Sequence, residues 1–309
     1  MGQRAFTLVE MLTVIAIIGL IAAFSIPVLK NFGQANVSVS ASRQLLDDIG
    51  RARQFAMSQR TTVYMVFVPP NFWGQLGSSP PVSPIPAWYN LLTTPQLTVL
   101  SNLYEKQLVG YTFLAYGALG DQPGRHTWHY LAPWQSLPDG AFIPTWKFYN
   151  ATYPTPPLSF SDPANANYTF NIYPFSYTNT FPFPTEDSTN PLYATSLPYL
   201  PYIAFNYLGQ LSDYSGNMLS SSDEKLSGPL GARISGQDYD LDFVGGGIDI
   251  PLAQGSVIPG KNTNGNNSAV MGMPGVNEMP PGNSTNIAYH VIHIDPLTGR
   301  STLEYHKMQ

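Results

Sequence analysis

The longest apolar stretch of the chain lies within its first thirty residues. Residues 11–29 contain no charged side chain over 19 positions and are bounded by Glu10 and Lys30. As a helix this stretch would be about 28 Å long, close to the hydrocarbon thickness of a bilayer. We therefore predict a membrane-spanning helix. Because Arg4 precedes it, the positive-inside rule places the N-terminus in the cytoplasm and the rest of the chain outside.

The apolar pattern beyond Lys30 becomes that of an amphipathic helix. Four apolar side chains recur three or four positions apart, which is the spacing of one helical face: Leu45, Ile49, Ala52 and Ala56. This spacing predicts that the helix continues across residues 30–58. Residues 31–40 are weak helix formers, so we expect a bend or a melted turn between Pro27 and Ala41. Arg51, Arg53 and Arg60 form a small basic cluster, which is interpreted as a solvated helix end in preference to a nucleic-acid contact.

The pattern changes to that of strands after residue 60. Residues 61–68 are β-branched and aromatic and end at two prolines, which predicts a strand followed by a break. Further strands are predicted at residues 110–115, 168–173, 202–207, 287–294 and 300–305, the last two joined by a turn at 295–299. Residues 69–201 and 260–286 are otherwise rich in loop-forming residues. We predict an α+β protein with one long N-terminal helix and a β-rich head spanning residues 59–309.

Composition narrows the possible functions. Charged residues make up only 11% of the 309 positions, whereas Pro and Gly contribute 29 and 26 residues, which excludes a coiled coil for most of the chain. Cysteine is absent, so no disulfide or thiolate metal site is available. The formal net charge of −5 argues against nucleic acid as a partner.

The residues in front of the apolar stretch form a recognisable leader. Ala5 is a small residue, Phe6 follows it, and Glu10 lies four positions after Phe6 at the start of the apolar run. A carboxylate at the entrance of a membrane helix is costly unless it has a partner, so Glu10 is a candidate functional residue. This arrangement resembles the type IV prepilin leader, although Ala5 stands where that family usually has glycine. Pro27 also lies where these helices commonly carry a proline.

The resemblance implies a processing and assembly route. A prepilin peptidase would cut between Ala5 and Phe6, remove leader residues 1–5, and methylate the new amine of Phe6. Residues 6–29 would remain as the transmembrane helix. The resemblance further implies that Glu10 pairs with the Phe6 amine of a neighbouring subunit inside a filament, where losing one partner would strand a buried charge.

Two later segments resemble the minor pseudopilins of type II secretion and related minor pilins. Ile203, Phe205 and Gly209 follow an I-x-F-x-x-x-G pattern, and residues 294–300 follow I-D-x-x-T-G-R. The implied partners are other pilin or pseudopilin subunits, prepilin peptidase, an inner-membrane assembly platform and the lipid bilayer. The implied location is the bacterial inner membrane with an exported head, and after assembly a periplasmic or cell-surface filament. No catalytic role is expected.

Candidate metal chemistry is confined to a few residues. Four aspartates follow the first, third, fifth and twelfth positions of a calcium loop, but Phe243 occupies the position of its usual glycine: Asp238, Asp240, Asp242 and Asp249. Calcium is therefore the one cofactor considered. His290 and His293 are expected on opposite faces of a strand and thus not on one metal, and the His126–His129 pair is interpreted as structural.

Two other functions remain open from the sequence. The chain could be a membrane-anchored or secreted adhesin-like module for carbohydrate, protein or DNA, with the leader serving only for delivery, or, as a third option, a secreted hydrolase. The five tryptophans lie in Pro-rich segments and would form either the core of the head or a contact patch. We expect most of them to be in the core.

Overall fold

The computed structural model describes most of the N-terminal helix and most of the head. The described residues are 8–70, 92–122, 126–148, 158–161, 169–172, 174–175, 179–188, 198–219, 247–259, 274–285 and 290–305. For residues 20–36, 158–161, 169–171, 188 and 304–305 the description covers the backbone alone.

Helix α1 runs without interruption over Leu8–Gln59, a total of 52 residues and about 78 Å. The melted turn expected between Pro27 and Ala41 is wrong, because the backbone is helical at every position in between. Helix propensities differ by less than about 1 kcal/mol per ordinary residue, so packing readily overrides them. Here Ala41 is fully buried and the Ser42 hydroxyl donates to the carbonyl of Ser38 at 2.8 Å.

No helix in the described part of the chain is long and apolar enough to cross a membrane. Of the predicted membrane-spanning stretch, residues 20–29 lie outside the residues whose side chains are described.

The larger sheet of the head has six strands. These are β1 (Val63–Phe67), β2 (Gly110–Tyr116), β3 (Trp128–Tyr130), β4 (Gln135–Ser136), β8 (Tyr202–Phe205) and β9 (Leu211–Ser212), in the order β3-β2-β1-β8-β9 with β4 also paired to β2. All of these pairs are antiparallel. The strands predicted at residues 61–68, 110–115 and 202–207 are confirmed as β1, β2 and β8.

Both faces of this sheet are buried, which explains why residues 61–68 read as a continuous apolar run. On β1, Val63, Met65 and Phe67 face the core that contains α1, whereas Tyr64 and Val66 face a second cluster. Helix α2 (Thr94–Leu103) covers this second face with Leu100 and Leu103, together with segments from 181–183 and 198–200. The long insertion between β2 and β8 therefore supplies part of the core.

The second sheet has five strands built around a long central one. Strand β10 (Ile248–Ile258) pairs with β12 (His290–Ile294) along its first half and with β11 (Gly275–Glu278) along its second, while β5 (Ala141–Phe142) joins it at Ala253 and Gln254. Strand β13 (Ser301–Tyr305) pairs with β12 and closes the predicted hairpin. Strands β6 (Leu158–Ser161) and β7 (Thr169–Ile172) form a separate pair, with β7 inside the strand predicted at 168–173.

The prediction of an irregular loop over residues 260–286 is wrong for part of that range. Strand β11 lies within it because the second half of β10 extends beyond β12 and leaves its hydrogen-bonding edge open for another strand. Residues 260–273 lie outside the described residues.

Together these elements form a mixed structure of helices and antiparallel sheets, as predicted. Helix α1 contacts β1 and β8 of the larger sheet and β5, β10, β12 and β13 of the second sheet. The C-terminal part of α1 is therefore the element against which both sheets pack.

Candidate functional site: an exposed apolar helix anchored in a folded head

The N-terminal part of α1 exposes apolar side chains in all directions. Between residues 8 and 19 every side chain is exposed, and eight large apolar side chains expose between 47% and 82% of their surface: Leu8, Val9, Met11, Leu12, Val14, Ile15, Ile17 and Ile18. A soluble protein rarely leaves so much contiguous apolar surface uncovered. This part of the helix therefore requires a lipid or protein environment.

The C-terminal part of the same helix is the centre of the head. The four residues predicted to form one face, Leu45, Ile49, Ala52 and Ala56, are all fully buried, and Ala41 extends the face by one turn. They share one core with strands of both sheets. The helix is thus fixed in the head from about residue 37 onward.

Buried polar contacts also join α1 to strand β12 of the second sheet. The Ser38 hydroxyl lies 2.7 Å from Nδ1 of His290 on β12, and the Ser42 hydroxyl lies 3.1 Å from the same nitrogen. Burial lowers the pKa of His290, so the neutral imidazole is favoured there.

A second buried contact ties α1 to the larger sheet. The Tyr111 hydroxyl of β2 donates to Asp48 and accepts a hydrogen bond from Gln44 Nε2 at 2.9 Å. Burial raises the pKa of the Asp48 carboxyl, although the hydrogen bond from Tyr111 opposes this rise. Because these contacts are directional, they fix the rotation of α1 about its own axis.

Arg53 joins α1 to one turn from each sheet. Its Nε donates to the carbonyl of Gly209 at 3.1 Å and to the carbonyl of Thr298 at 2.8 Å. Gly209 and Gly299 both have positive φ angles, +78° and +61°. A Cβ at residue 299 would overlap the Gly209 carbonyl, so the two turns are in close contact.

This contact brings together the two patterns that the sequence singled out, I-x-F-x-x-x-G and I-D-x-x-T-G-R. The interpretation of Arg53 as part of a solvated helix end is wrong, because the side chain is half-buried between the two turns. Sequence reasoning missed this residue since its partners are backbone carbonyls 156 and 245 positions away. The glycines of the two turns, Gly209 and Gly299, are the sequence features that could have indicated this contact.

The residues predicted for processing and assembly have different places in the structure. Ala5 and Phe6 lie outside the described residues. Glu10 lies in the first turn of α1, where its carbonyl accepts a hydrogen bond from the Thr13 hydroxyl at 2.8 Å. Pro27 lies within α1, and its side chain is outside the description.

The calcium candidates are not brought together in the described part of the chain. Asp238, Asp240 and Asp242 lie outside it, whereas Asp249 on β10 accepts a hydrogen bond from Nδ1 of His293 at 2.7 Å. Among the described residues no group of three or more histidine or carboxylate side chains could hold a metal ion. The calcium site stays a prediction.

A fully buried lysine lies close to Asp249. Lys147, in the 3₁₀ helix Thr145–Phe148, places its Nζ 4.7 Å from the centre of the Phe175 ring. Burial lowers the pKa of this lysine to about 7, and the Asp249 carboxylate opposes that shift. This group was not anticipated from the sequence.

The two histidine pairs occupy separate environments. His290 faces α1 and His293 faces Asp249, so the expectation that they lie on opposite faces of the strand is confirmed. His129 Nε2 lies 3.2 Å from Asp121, and the His126 ring lies 5.6 Å from that of Tyr116.

The three described tryptophans are half-buried, and each contacts other residues of the head. Trp128 lies against Tyr64 and Phe181 at ring distances of 5.5 Å. The indole nitrogens of Trp134 and Trp146 donate to the carbonyls of Pro184 and Ser284. Trp128 and Trp134 are half-buried and pack against the second core cluster, which supports the core interpretation for these two. Trp146 is half-buried and belongs to neither core cluster, and Trp73 and Trp88 lie outside the described residues.

Comparison with known proteins identifies the N-terminal signal. Residues 1–26 match the family model described as the prokaryotic N-terminal methylation motif. The chain thus carries the prepilin-type signal of type IV pilins and pseudopilins, and this supports a pilin-like or pseudopilin subunit. Other pilin subunits and prepilin peptidase are the partners that the signal implies, and it suggests anchoring in the inner membrane with an exported head.

The match covers the leader and most of the apolar stretch. No curated protein and no solved structure matches the chain. Any role assigned to the head therefore rests on the contacts and surfaces of the head itself.

Proposed function

We propose that this chain is a structural minor subunit of a type IV pilus or of a type II secretion pseudopilus. The observation that carries the proposal is the continuity of α1, which joins the prepilin-type signal and an exposed apolar segment directly to the core of the head. In this proposal the apolar segment lies first in the inner membrane and then among the helices of a filament, with the head packed on α1 as in pilins. A filament subunit of this kind would have no catalytic role.

In the proposed route, prepilin peptidase cleaves between Ala5 and Phe6 and methylates the new amine. An inner-membrane assembly platform then extracts the subunit from the bilayer. Glu10 pairs with the Phe6 amine of a neighbouring subunit, because a carboxylate surrounded by apolar helices needs a nearby cation. The long insertions enlarge the head and favour a rare component, at the tip or surface of the filament, over the main repeating subunit.

Mass spectrometry of the mature chain tests the processing step. We expect a polypeptide that begins at Phe6 with a methylated amine. Ala22, Ala23 and Ser25 are small residues that could also serve as a signal-peptide cleavage site. A mature start near Phe24 or Ser25 would therefore indicate ordinary secretion and would contradict the proposal. Ala5→Gly, which restores the usual residue, should process at least as fully, whereas Phe6→Ala should keep cleavage but alter the new terminus.

Substitution of Glu10 tests the assembly step. We expect Glu10→Leu to insert and be processed but to be missing from the sheared filament fraction that contains the wild-type chain, because the Phe6 amine of a neighbouring subunit loses its counter-charge. Asp47→Ala is the matched control, since Asp47 is an exposed acid on the same helix within the head. Normal incorporation of Glu10→Leu would disprove the pairing.

A further inference from the structure

Large apolar side chains are exposed together around the C-terminal end of α1. We call this surface the distal pole and define it by seven residues: Met57, Tyr116, Leu119, Tyr207, Leu208, Met218 and Leu297. They expose between 36% and 66% of their surface, and they are most of the large apolar side chains that face solvent in the described part of the head. Apart from Met57 on the helix, they lie at strand ends or in the turns that follow.

Two of these turns are held against the end of α1. The amide of Leu119 donates to the Gln59 side chain at 3.3 Å. The turn at 206–209 lies on the preceding helical turn, because a Cβ on Gly209 would be 3.1 Å from the Met57 sulfur. The distal pole therefore forms around the helix end as one surface.

The turn of the second sheet belongs to the same surface. The amide of Leu211 donates to the carbonyl of Pro296 at 3.0 Å, which places Leu297 beside the larger sheet. Met218 is paired with Ser212, the next residue after Leu211. Turns from both sheets thus end at one pole of the head.

Four turns at the distal pole bond their own backbone amides. In each turn the side chain of an Asp or Asn accepts one or two amides at 2.6–3.0 Å. The acceptors are Asp121 for the amide of Ala118, Asn206 for those of Leu208 and Gln210, Asp213 for that of Asn217, and Asp295 for that of Thr298. These amides need no partner from outside, so the turns suit a surface that offers few hydrogen bonds.

The charged groups that face solvent among these turns are arginines. Arg60 directly follows α1 and Arg300 follows the turn with Leu297, and both are exposed. The aspartates of the turns are half-buried and directed to their own amides. An arginine lays its aliphatic stem along an apolar surface and binds phosphate with its guanidinium. The partner that fits is apolar in depth and negatively charged at its surface.

The position of the distal pole separates it from the membrane that would hold the N-terminal segment. About 60 Å of continuous helix lies between residues 19 and 59, about twice the hydrocarbon thickness of a bilayer. While α1 spans one bilayer, its own distal pole cannot reach that bilayer. A lipid surface in contact with the pole must belong to a second membrane.

We propose that the distal pole binds the interface of a second membrane that contains anionic phospholipid. Leu119, Leu208 and Leu297 enter the headgroup region, while Arg60 and Arg300 bind lipid phosphates. A few interfacial side chains give reversible binding rather than insertion. This inference goes beyond the proposed filament role, because it gives the head a lipid ligand of its own.

A two-membrane capture assay tests the inference on the full chain. The chain is reconstituted through its N-terminal segment into phosphatidylcholine nanodiscs that are fixed to beads, and protein-free fluorescent vesicles are added. We expect vesicles of an equal mixture of phosphatidylcholine and phosphatidylglycerol to be captured about tenfold more than vesicles of phosphatidylcholine alone. Beads with empty nanodiscs give the background.

Substitutions of the apolar side chains locate the contact. Leu297→Glu and Leu208→Glu should each reduce capture about tenfold, because the new carboxylate replaces an apolar contact and repels lipid phosphate. Ile258→Glu is the matched control and should retain capture, since Ile258 and Leu297 both expose 60% of their surface. Ile258 lies on the half of β10 that bonds Gly140, which contacts Val37 at the other end of the head. Unchanged urea midpoints show that the variants are folded.

Substitutions of Arg300 test the charge requirement. Arg300→Glu should reduce the capture of anionic vesicles about tenfold, whereas Arg300→Lys should retain it. Equal capture by both variants would overturn the role of the exposed arginines.

The outcomes separate this inference from the proposed function. Loss of capture by Leu297→Glu, with that variant still present in the sheared filament fraction, supports a lipid contact. If Leu297→Glu is also missing from the filament fraction, the pole is a contact between subunits and the inference is overturned. If anionic vesicles are captured no better than phosphatidylcholine vesicles, the inference falls while methylation at Phe6 and filament incorporation still support the proposed function.

Discussion

Arg53 connects helix α1 to both sheets through a single side chain. The guanidinium donates to carbonyls at the ends of two turns that belong to different sheets, and hydrogen bonds from a charged donor are stronger than neutral ones. The close approach of the turns depends on Gly299, which has a φ of +61° and lies against the Gly209 carbonyl. The geometry at this point therefore tolerates little change in side-chain size.

Gly299→Ala is expected to lower the free energy of unfolding by about 1–3 kcal/mol. A Cβ there would clash with Gly209 and disfavour the left-handed backbone. Urea denaturation of the full chain in detergent measures this effect. Gly50→Ala is the matched control, because Gly50 is helical with open space around it, and alanine should stabilise it by about 0.5–1 kcal/mol. Equal effects at both positions would contradict the turn contact.

The burial of Lys147 should make the free energy of unfolding depend on pH. Its folded pKa, about 7, lies below the ordinary value of 10.5 because the side chain is buried. Between these two values the unfolded chain binds a proton that the folded chain does not, so this lysine makes stability rise with pH across that window. Below about pH 7 the full cost of the buried charge is present.

We expect Lys147→Met to gain about 1 kcal/mol or more near pH 6, since an apolar side chain replaces a buried charge. The gain should shrink as pH rises from about 7 toward 10.5. Denaturation of wild-type and variant chains across this pH range measures the difference. Lys106→Met provides the control, because the Lys106 ammonium donates to the Trp134 carbonyl at a half-buried site. A gain in stability that does not change with pH would contradict the lowered pKa of Lys147.

At the scale of elements, α1 is both the most predictable and the most misjudged part of the fold. Its buried face was predicted because residues 45–56 repeat at the helical period, and the repeat alone defines which side faces the core. The melted turn was wrong because the local sequence does not reveal that Ser38 and Ser42 bond His290 on a strand 248 to 252 positions away. The sequence also predicted the strands that contain runs of β-branched residues. It did not predict the order of the strands in the sheets, because that order is set by pairing between distant segments.

Leu45→Ala is expected to cost about 2–5 kcal/mol of unfolding free energy, because it leaves a cavity between α1 and the sheets. Gln54→Ala, on the exposed face of the same helix, should change stability by no more than about 0.5 kcal/mol. Thermal and urea unfolding of both variants compare the two faces. A loss of less than about 1 kcal/mol of unfolding free energy for Leu45→Ala would contradict the packing of this helix face in the core.

At the scale of the whole molecule, the sequence predicted the ends better than the middle. The leader is readable because membrane insertion and processing impose a local pattern of few residues, and the comparison with known proteins finds the same segment. The arrangement of the head depends on long-range contacts such as those of Arg53 and the aromatic rings around Tyr64, which no local pattern specifies.

The unbroken backbone of α1 has a mechanical consequence. A machine that pulls or pushes on the N-terminal end of this chain acts on a single stiff strut, because each successive peptide group is linked to the next turn by hydrogen bonds. With no hinge between residues 8 and 59, load travels directly into the centre of the head and is shared there by both sheets. Displacement at one end of the strut is thus delivered, nearly undiminished, to the other.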